Sequence, residues 1–330
     1  MAAKKPKRKK AGTRRGGRGL KVLLVFLLMA LSSAVIYVLV GQLHKALVQA
    51  KTREVTPDLV LGGLGNGPGQ FQQPWDVAVG PQGDVVATDF GNHRLLKFDP
   101  NGKLIFSIGK EGKGPGEFEQ PSGVYVDPEG KIYVCDTFNY RIQKFDAQGR
   151  FLKSWEHAFY GPKGIMGNGH GVIYVVDTGN HKIQAFSENG DFLREWGGYG
   201  PEAGKLKEPI GGVVGPEGSV YVADTDNLRV QKFDPNGKPL GSFKIPTWRG
   251  KNEETPYLAF GAGSLWVTNT SEGAVLKYSP SGQLQAVYKL KGTGFSNPAG
   301  VAVSPDGQVY VTERNTGKIV RFQPPAPPSR

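Results

Sequence analysis

The sequence predicts an all-β ring of six four-stranded sheets, closed by exchange of a strand between the two ends of the ring and preceded by one transmembrane helix. Three observations predict it. A Pro-led unit returns six times, Gly-bearing turns separate short alternating strands, and an uncharged apolar run follows a basic amino terminus.

Residues 1–21 hold ten of the 41 Lys and Arg, and the first acid is Glu54, so the rest of the chain carries 31 bases against 29 acids. The net charge of +12 therefore belongs to the tail, and a nearly neutral body gives no reason to expect a nucleic-acid partner. Residues 22–40, VLLVFLLMALSSAVIYVLV, are free of charge. At ~1.5 Å per residue they span roughly 28 Å, the thickness of a bilayer core. No small-residue cleavage site follows closely, so the run reads as an uncleaved signal anchor with the basic tail in the cytoplasm and the remainder outside it. Residues 41–57 read as a stalk. Leu43, Ala46, Leu47 and Ala50 have helical spacing, which suits a short surface helix or a continuation of the anchor, and Pro57 ends it.

The ring is expected over residues 58–323. Its leading Pro recurs at 74, 121, 162, 209, 256 and 298. Second strands read DVVATD, KIYVCD, VIYVVD, SVYVAD, SLWVTN and QVYVTE; third strands read RLLKF, RIQKF, KIQAF, RVQKF, AVLKY and KIVRF. Turns such as Pro100-Asn101-Gly102 and Pro235-Asn236-Gly237 mark antiparallel meanders. Units of about 44 residues have the length of a propeller blade. The sixth unit stops at Phe322, and the Pro-rich residues 324–330 cannot form a fourth strand, because Pro lacks the ladder donor. Residues 59–74, LVLGGLGNGPGQFQQP, align with 104–121, LIFSIGKEGKGPGEFEQP, so the stretch around Val60 is expected to pair with Lys318–Phe322. Cys135 stands where sister blades have Thr88, Val176 or Thr312, and reads as a small core residue.

Segments such as YVVDTGNHKIQAF (174–186), VATDFGNHRLLKF (86–98) and YVADTDNLRVQKF (221–233) resemble NHL repeats. The resemblance covers about four-fifths of the chain; the fifth and sixth units are degenerate. It implies a six-bladed β-propeller that binds protein or RNA, with amidating lyases and gluconolactonase-like hydrolases among the relatives. In the lyases, His ligands directly follow the repeat Pro. Here those places hold Trp75, Ser122, Lys163, Ile210, Tyr257 and Ala299, so neither a metal nor a cofactor is expected.

Acids ending the second strands pair in sequence with bases five residues on: Asp89 with Arg94, Asp136 with Arg141, Asp177 with Lys182, Asp224 with Arg229. In unit five both charges vanish together, at Asn269 and Ala274. These read as turn ties. A recognition surface is expected where long connections gather, with Trp75, Asp76, Lys163 and Tyr257 at the channel mouth and His93, Phe138, His181, Tyr199, Trp248 and Arg249 around them. Trp75 and Tyr257 are equally suited to plugging the channel. The expected function is a non-catalytic binding module for protein or cell-envelope glycan; the alternative is a metal-dependent hydrolase or lyase centred near Asp76 and Lys163.

Overall fold

The computed structural model describes residues 49, 51–250, 255–292 and 294–325. The expected cytoplasmic tail and membrane anchor, most of the stalk and the end of the Pro-rich tail lie outside them. No helix among the described residues is long and apolar enough to cross a membrane. The chain divides into two units, Met1–Lys51 and Thr52–Arg330, and the second contains the six sheets described below.

Each sheet is an antiparallel meander. Blade one runs Pro74–Val79, Val85–Asp89, Arg94–Phe98 and Leu104–Ile108, and blade two Pro121–Val126, Ile132–Asp136, Arg141–Phe145 and Phe151–Trp155. Blade three comprises Pro162–Gly167, Val172–Asp177, Lys182–Ser187 and Phe192–Gly197; blade four Pro209–Val214, Val220–Asp224, Arg229–Phe233 and Pro239–Lys244. Blade five comprises Leu258–Gly261, Ser264–Asn269, Ala274–Tyr278 and Leu284–Leu290; blade six begins with Pro298–Val303, Val309–Glu313 and Lys318–Phe322. First strands pack against one another around the axis. Second strands are buried along almost their whole length between neighbouring blades, hence their unbroken apolar runs, while the fourth strands of blades one to four lie more exposed at the rim. The aromatic ending each third strand, from Phe98 to Phe322, is buried.

Closure follows the expected exchange. Strand β2 (Leu59–Gly62) pairs antiparallel with Lys318–Phe322, setting Val60 opposite Val320. Ahead of it lies strand β1 (Thr52–Val55), where the sequence suggested a helix or an anchor extension. It adds in parallel to the outer strand of blade five, Thr52 opposite Val287 and Val55 opposite Leu290. The propeller therefore begins at residue 52 rather than 58.

A second repeated contact fastens blade to blade. Lys97 Nζ donates to the carbonyl of Ala147 at 2.9 Å, and Lys144 Nζ to that of Glu188 at 2.9 Å. In each case a cation on a third strand reaches the hairpin turn of the next blade. Blade three has Ala185 at this place, and Arg194, directly across the ladder, donates to Pro235 O instead. Tyr221 Oη donates to Pro280 O at 3.4 Å, beneath Lys232. Arg321 completes the circle, donating to Pro100 O at 3.3 Å and to Asp58 at 2.9 Å. The turn glycines fit under these contacts: a Cβ on Gly190 would come within 2.7 Å of the Trp155 ring, and one on Gly237 within 2.5 Å of Trp196.

Blade six has no such hairpin, since its outer strand comes from the other end of the ring. On the blade-five face that the missing turn would cover, Arg53 of β1 stands opposite Tyr288, beside Lys277 over Trp266 at 5.0 Å. Strand β1 thus covers what the exchange leaves open. Deleting residues 55–63 removes the closing strand and the end of this strap; the melting temperature is expected to fall by about 10 °C or more. An unchanged thermal melt would show that closure does not depend on this segment.

Candidate functional site at the channel mouth and loop face

In five of the blades the register slips just after the repeat Pro, as between Pro74 and Val77 in blade one. Such bulges re-aim the side chains that follow, here at the mouth of the central channel. Asp76 is buried there: Oδ1 accepts the N–H of Val77 at 2.8 Å and Oδ2 that of Val124 at 3.0 Å. Burial pushes its carboxyl up to about 8 against the pull of those two donors. Tyr257 crosses the channel from blade five to donate to the carbonyl of Lys163 in blade three at 2.7 Å. Burial, reinforced by Asp76, holds its phenol well above the ordinary range.

Trp75 is buried between an aromatic ring and a guanidinium. Phe90 stacks on it at 4.3 Å, and the Arg314 guanidinium lies over it at 4.2 Å. Both flanking groups depart from the repeat. Their place, just after the acid, holds Thr137, Thr178, Thr225 and Thr270 in the other blades, and three of those hydroxyls donate to the next repeat Pro: Thr137 to Pro162, Thr178 to Pro209, Thr270 to Pro298. Trp75 and Tyr257 therefore serve as plugs and stacking floor instead of exposed anchors. Lys163 is half-buried above them. Burial lowers its pKa, Glu208 opposes that, and Arg314 adds to it.

The turn after the second strand holds the acid–base ties. Arg141 Nε meets Asp136 at 2.7 Å, while its two terminal nitrogens donate to the carbonyls of Lys113, Gly114 and Glu117 at 2.7–2.9 Å. Asn139 adds a bond to Gly112 O. The connection 109–120 is thus wound around one guanidinium. Arg94 with Asp89 (2.9 Å) and Arg229 with Asp224 (2.6 Å) grip residues 66–70 and 202–205 in the same way. Phe71, Phe118 and Leu206 anchor the three loops from inside the core. Lys182 departs from this pattern. It pairs with Glu195 at 2.7 Å and not with Asp177, because the short connection 156–161 offers no such loop and an ammonium lacks the forked donors. Asp177 is instead bonded by Asn180, Gln184 and the Tyr160 N–H.

Other expected recognition residues separate by exposure. Trp248 is 2 % exposed, a core residue of its loop, whereas Arg249 is exposed. His93 and His181 are clasps: each Nδ1 accepts the backbone N–H of the residue before the next repeat Pro, from Gln120 at 3.3 Å and Glu208 at 3.2 Å. Phe138 and Tyr199 are open to solvent, and the sequence reading missed two companions, Tyr140 and Tyr160, stacked at 6.1 Å and 15°. Cys135 is buried, its thiol held near Gly164 O at 3.5 Å where Thr88 and Thr268 bond the same seam, and burial raises its pKa far above reach. Among the described residues no three His, Cys, Asp or Glu side chains form a group able to hold a metal ion.

Two outcomes follow from this geometry. Replacing Arg141 by Met strands a buried carboxylate and empties a loop's centre, and should cost about 3–5 kcal/mol; Lys182→Met, at an exposed pair, should cost less than about 1 kcal/mol. Urea unfolding of the two variants checks the contrast. Asp76 has a folded pKa above its unfolded one, so its contribution is full below about pH 4 and is lost as pH rises towards 8. The urea midpoint should fall between pH 5 and pH 8.5, and the fall should shrink in Asp76→Asn, whose midpoint is lower throughout because its amide meets an N–H donor.

A family model described as a 6-bladed beta-propeller (DUF5128) matches residues 70–166, and the NHL repeat model matches 206–233 and 295–322. No curated protein sequence matches the chain. Among solved structures, a catalytically inactive virginiamycin B lyase from Staphylococcus aureus with Quinupristin is 20% identical, with TM-score 0.57 over 78% of this chain and 81% of that one. A streptogramin B lyase is 18% identical, TM-score 0.57, over 82% and 88%. A chain of the nidogen/laminin complex is 15% identical, TM-score 0.57, over 69% and 84%. At these identities the likeness is one of fold. The ring thus carries NHL-repeat matches in blades four and six and a six-bladed β-propeller match over blades one and two and the start of blade three, in keeping with its six sheets.

Proposed function

We propose that this protein is a membrane-anchored, extracytoplasmic propeller that binds a protein or cell-envelope glycan on its loop face without catalysing a reaction on it. The observation that carries this reading is the exposed aromatic group Phe138, Tyr140, Tyr160 and Tyr199, set on loops fastened to a rigid ring. Exposed rings on ordered loops offer contact area at little cost in conformational freedom. The uncharged run 22–40 behind a basic tail supports the anchor and its orientation. Nucleic acid is not a partner in this reading, since the body carries almost no net charge.

The rival reading is a metal-dependent hydrolase or lyase at the channel mouth around Asp76 and Lys163. It draws on the shared fold of the streptogramin-type lyases. Full-length protein should partition with membranes through alkaline extraction, and its propeller should be cut by protease added from the extracytoplasmic side. Captured envelope protein or purified glycan should be lost at least ten-fold in Tyr140→Ala/Tyr160→Ala. Stoichiometric metal at the mouth together with turnover would decide for the enzyme instead.

A further inference from the structure

At the loop-face mouth of the channel two cations have no carboxylate within hydrogen-bond or ion-pair distance among the described residues. Arg314 lies flat on Trp75, gives one terminal nitrogen to Thr255 Oγ1 at 3.3 Å, and keeps a buried Nε with no acceptor among the described residues. Lys163 Nζ has no hydrogen bond or ion pair among them. Tyr257 links the two, bonded to the Lys163 carbonyl and acting on Arg314 through its phenol. Two of the described acids nearby are otherwise engaged: Glu313 accepts from Asn297 N, Thr316 N and Thr316 Oγ1, and Asp76 spends both oxygens on backbone N–H groups; Glu208 acts on Lys163 through its charge without bonding it. Arg94, Arg141, Lys97 and Lys144 each find a carboxylate or backbone carbonyls, whereas Lys232 and Lys277 rest on aromatic rings as Arg314 does.

A buried donor left without an acceptor, as Arg314 Nε is, is costly, and an anion bound beside it and the half-buried Lys163 ammonium would supply what is lacking. The departure is local and paired with another: Phe90 and Arg314, the two residues that break the Thr pattern, are the two that flank Trp75. We propose that the channel mouth binds the anionic group, carboxylate or phosphate, of a ligand whose apolar or ring-shaped body rests against Phe90 and the loop face, with Lys163 and Arg314 as the residues that hold the anion. This names the ligand chemistry for the binding reading above and rests on it. A guanidinium fixed on an aromatic ring presents its edge in a set plane, which suits a forked oxygen acceptor.

The test uses the full-length protein and four probes at matched ionic strength: inorganic phosphate, phenyl phosphate, benzoate and chloride. Titration calorimetry should show saturable binding of phenyl phosphate, benzoate or both, tighter than inorganic phosphate, and none for chloride. The preferred probe tells whether the natural group is a phosphate or a carboxylate. Lys163→Met and Arg314→Gln should each weaken binding at least ten-fold while the melting temperature stays within a few degrees. No saturable response from any probe, or the same affinity in the double variant, overturns the proposal. Tyr140→Ala/Tyr160→Ala separates it from the broader reading. Anion binding retained with partner capture unaffected in that variant sinks the loop-face reading alone; capture lost with no anion binding in the parent sinks this one alone.

Discussion

A ring of sheets is held by what each blade lends its neighbour, and here the loan is a hairpin turn. Lys97, Lys144, Arg194, Tyr221 and Arg321 each reach the carbonyl of the next blade's turn, and the turn's glycine fits against an apolar side chain of the receiving blade's outer strand. Closing the ring by exchange makes one seam covalently continuous at every blade but forces one hairpin to be cut. Blade six is the cut one. Its third strand ends at Phe322, its fourth begins after Asp58, and Arg321 rejoins the two ends through Asp58 while fastening the seam to Pro100. The face of blade five that would have met the missing turn receives β1 instead. A parallel fifth strand on that blade is the structural consequence of where the ring is opened.

The same reasoning sorts ornament from frame. Positions that repeat carry the frame: the acid that takes a backbone N–H from the preceding connection, the Asn that reaches back to its loop, the Arg that fills it, the Thr or Cys that bonds the next blade's first strand. Positions that break the repeat are those released from it. In blade three the shortened connection removes the carbonyls an Arg would serve, and a Lys turns outward to Glu195. At the mouth the two broken Thr positions face the same indole from opposite sides.

Much of this is legible in the sequence, because β-propeller blades are local units whose turns and periods are written in consecutive residues. Six blades, their hairpins and the pairing of Val60 with the last strand follow from period and alignment alone. What was not legible depends on contacts between blades. The Lys of the third strand repeats as visibly as the Arg, yet its partner is a carbonyl about fifty residues away, and a carbonyl leaves no mark in sequence. Trp248 lies in a Pro- and Arg-bearing loop that reads as open surface, and only the neighbouring turn shows it buried. Four residues of β1, TREV, carry too little periodicity to be told from a stalk. Arg314 was hidden in a unit that looked merely degenerate, although comparing it with four Thr residues at the same place would have marked it.

The electrostatics of the mouth follow from burial more than from charge count. A carboxylate at Asp76 would offset Lys163 or Arg314, but its seclusion raises its pKa to about 8, so near neutral pH it is mostly protonated and offsets neither. Burial also works on the two cations, lowering both, and Lys163 is lowered further by Arg314. Their positive character is therefore held against a gradient that favours losing it, and a ligand anion relieves that gradient while an aqueous counter-ion, which keeps its own hydration, does so poorly. The body of the protein can be almost neutral overall and still present a selective positive point, provided that point sits where water is scarce and where the ring's own acids have already been spent on holding its loops.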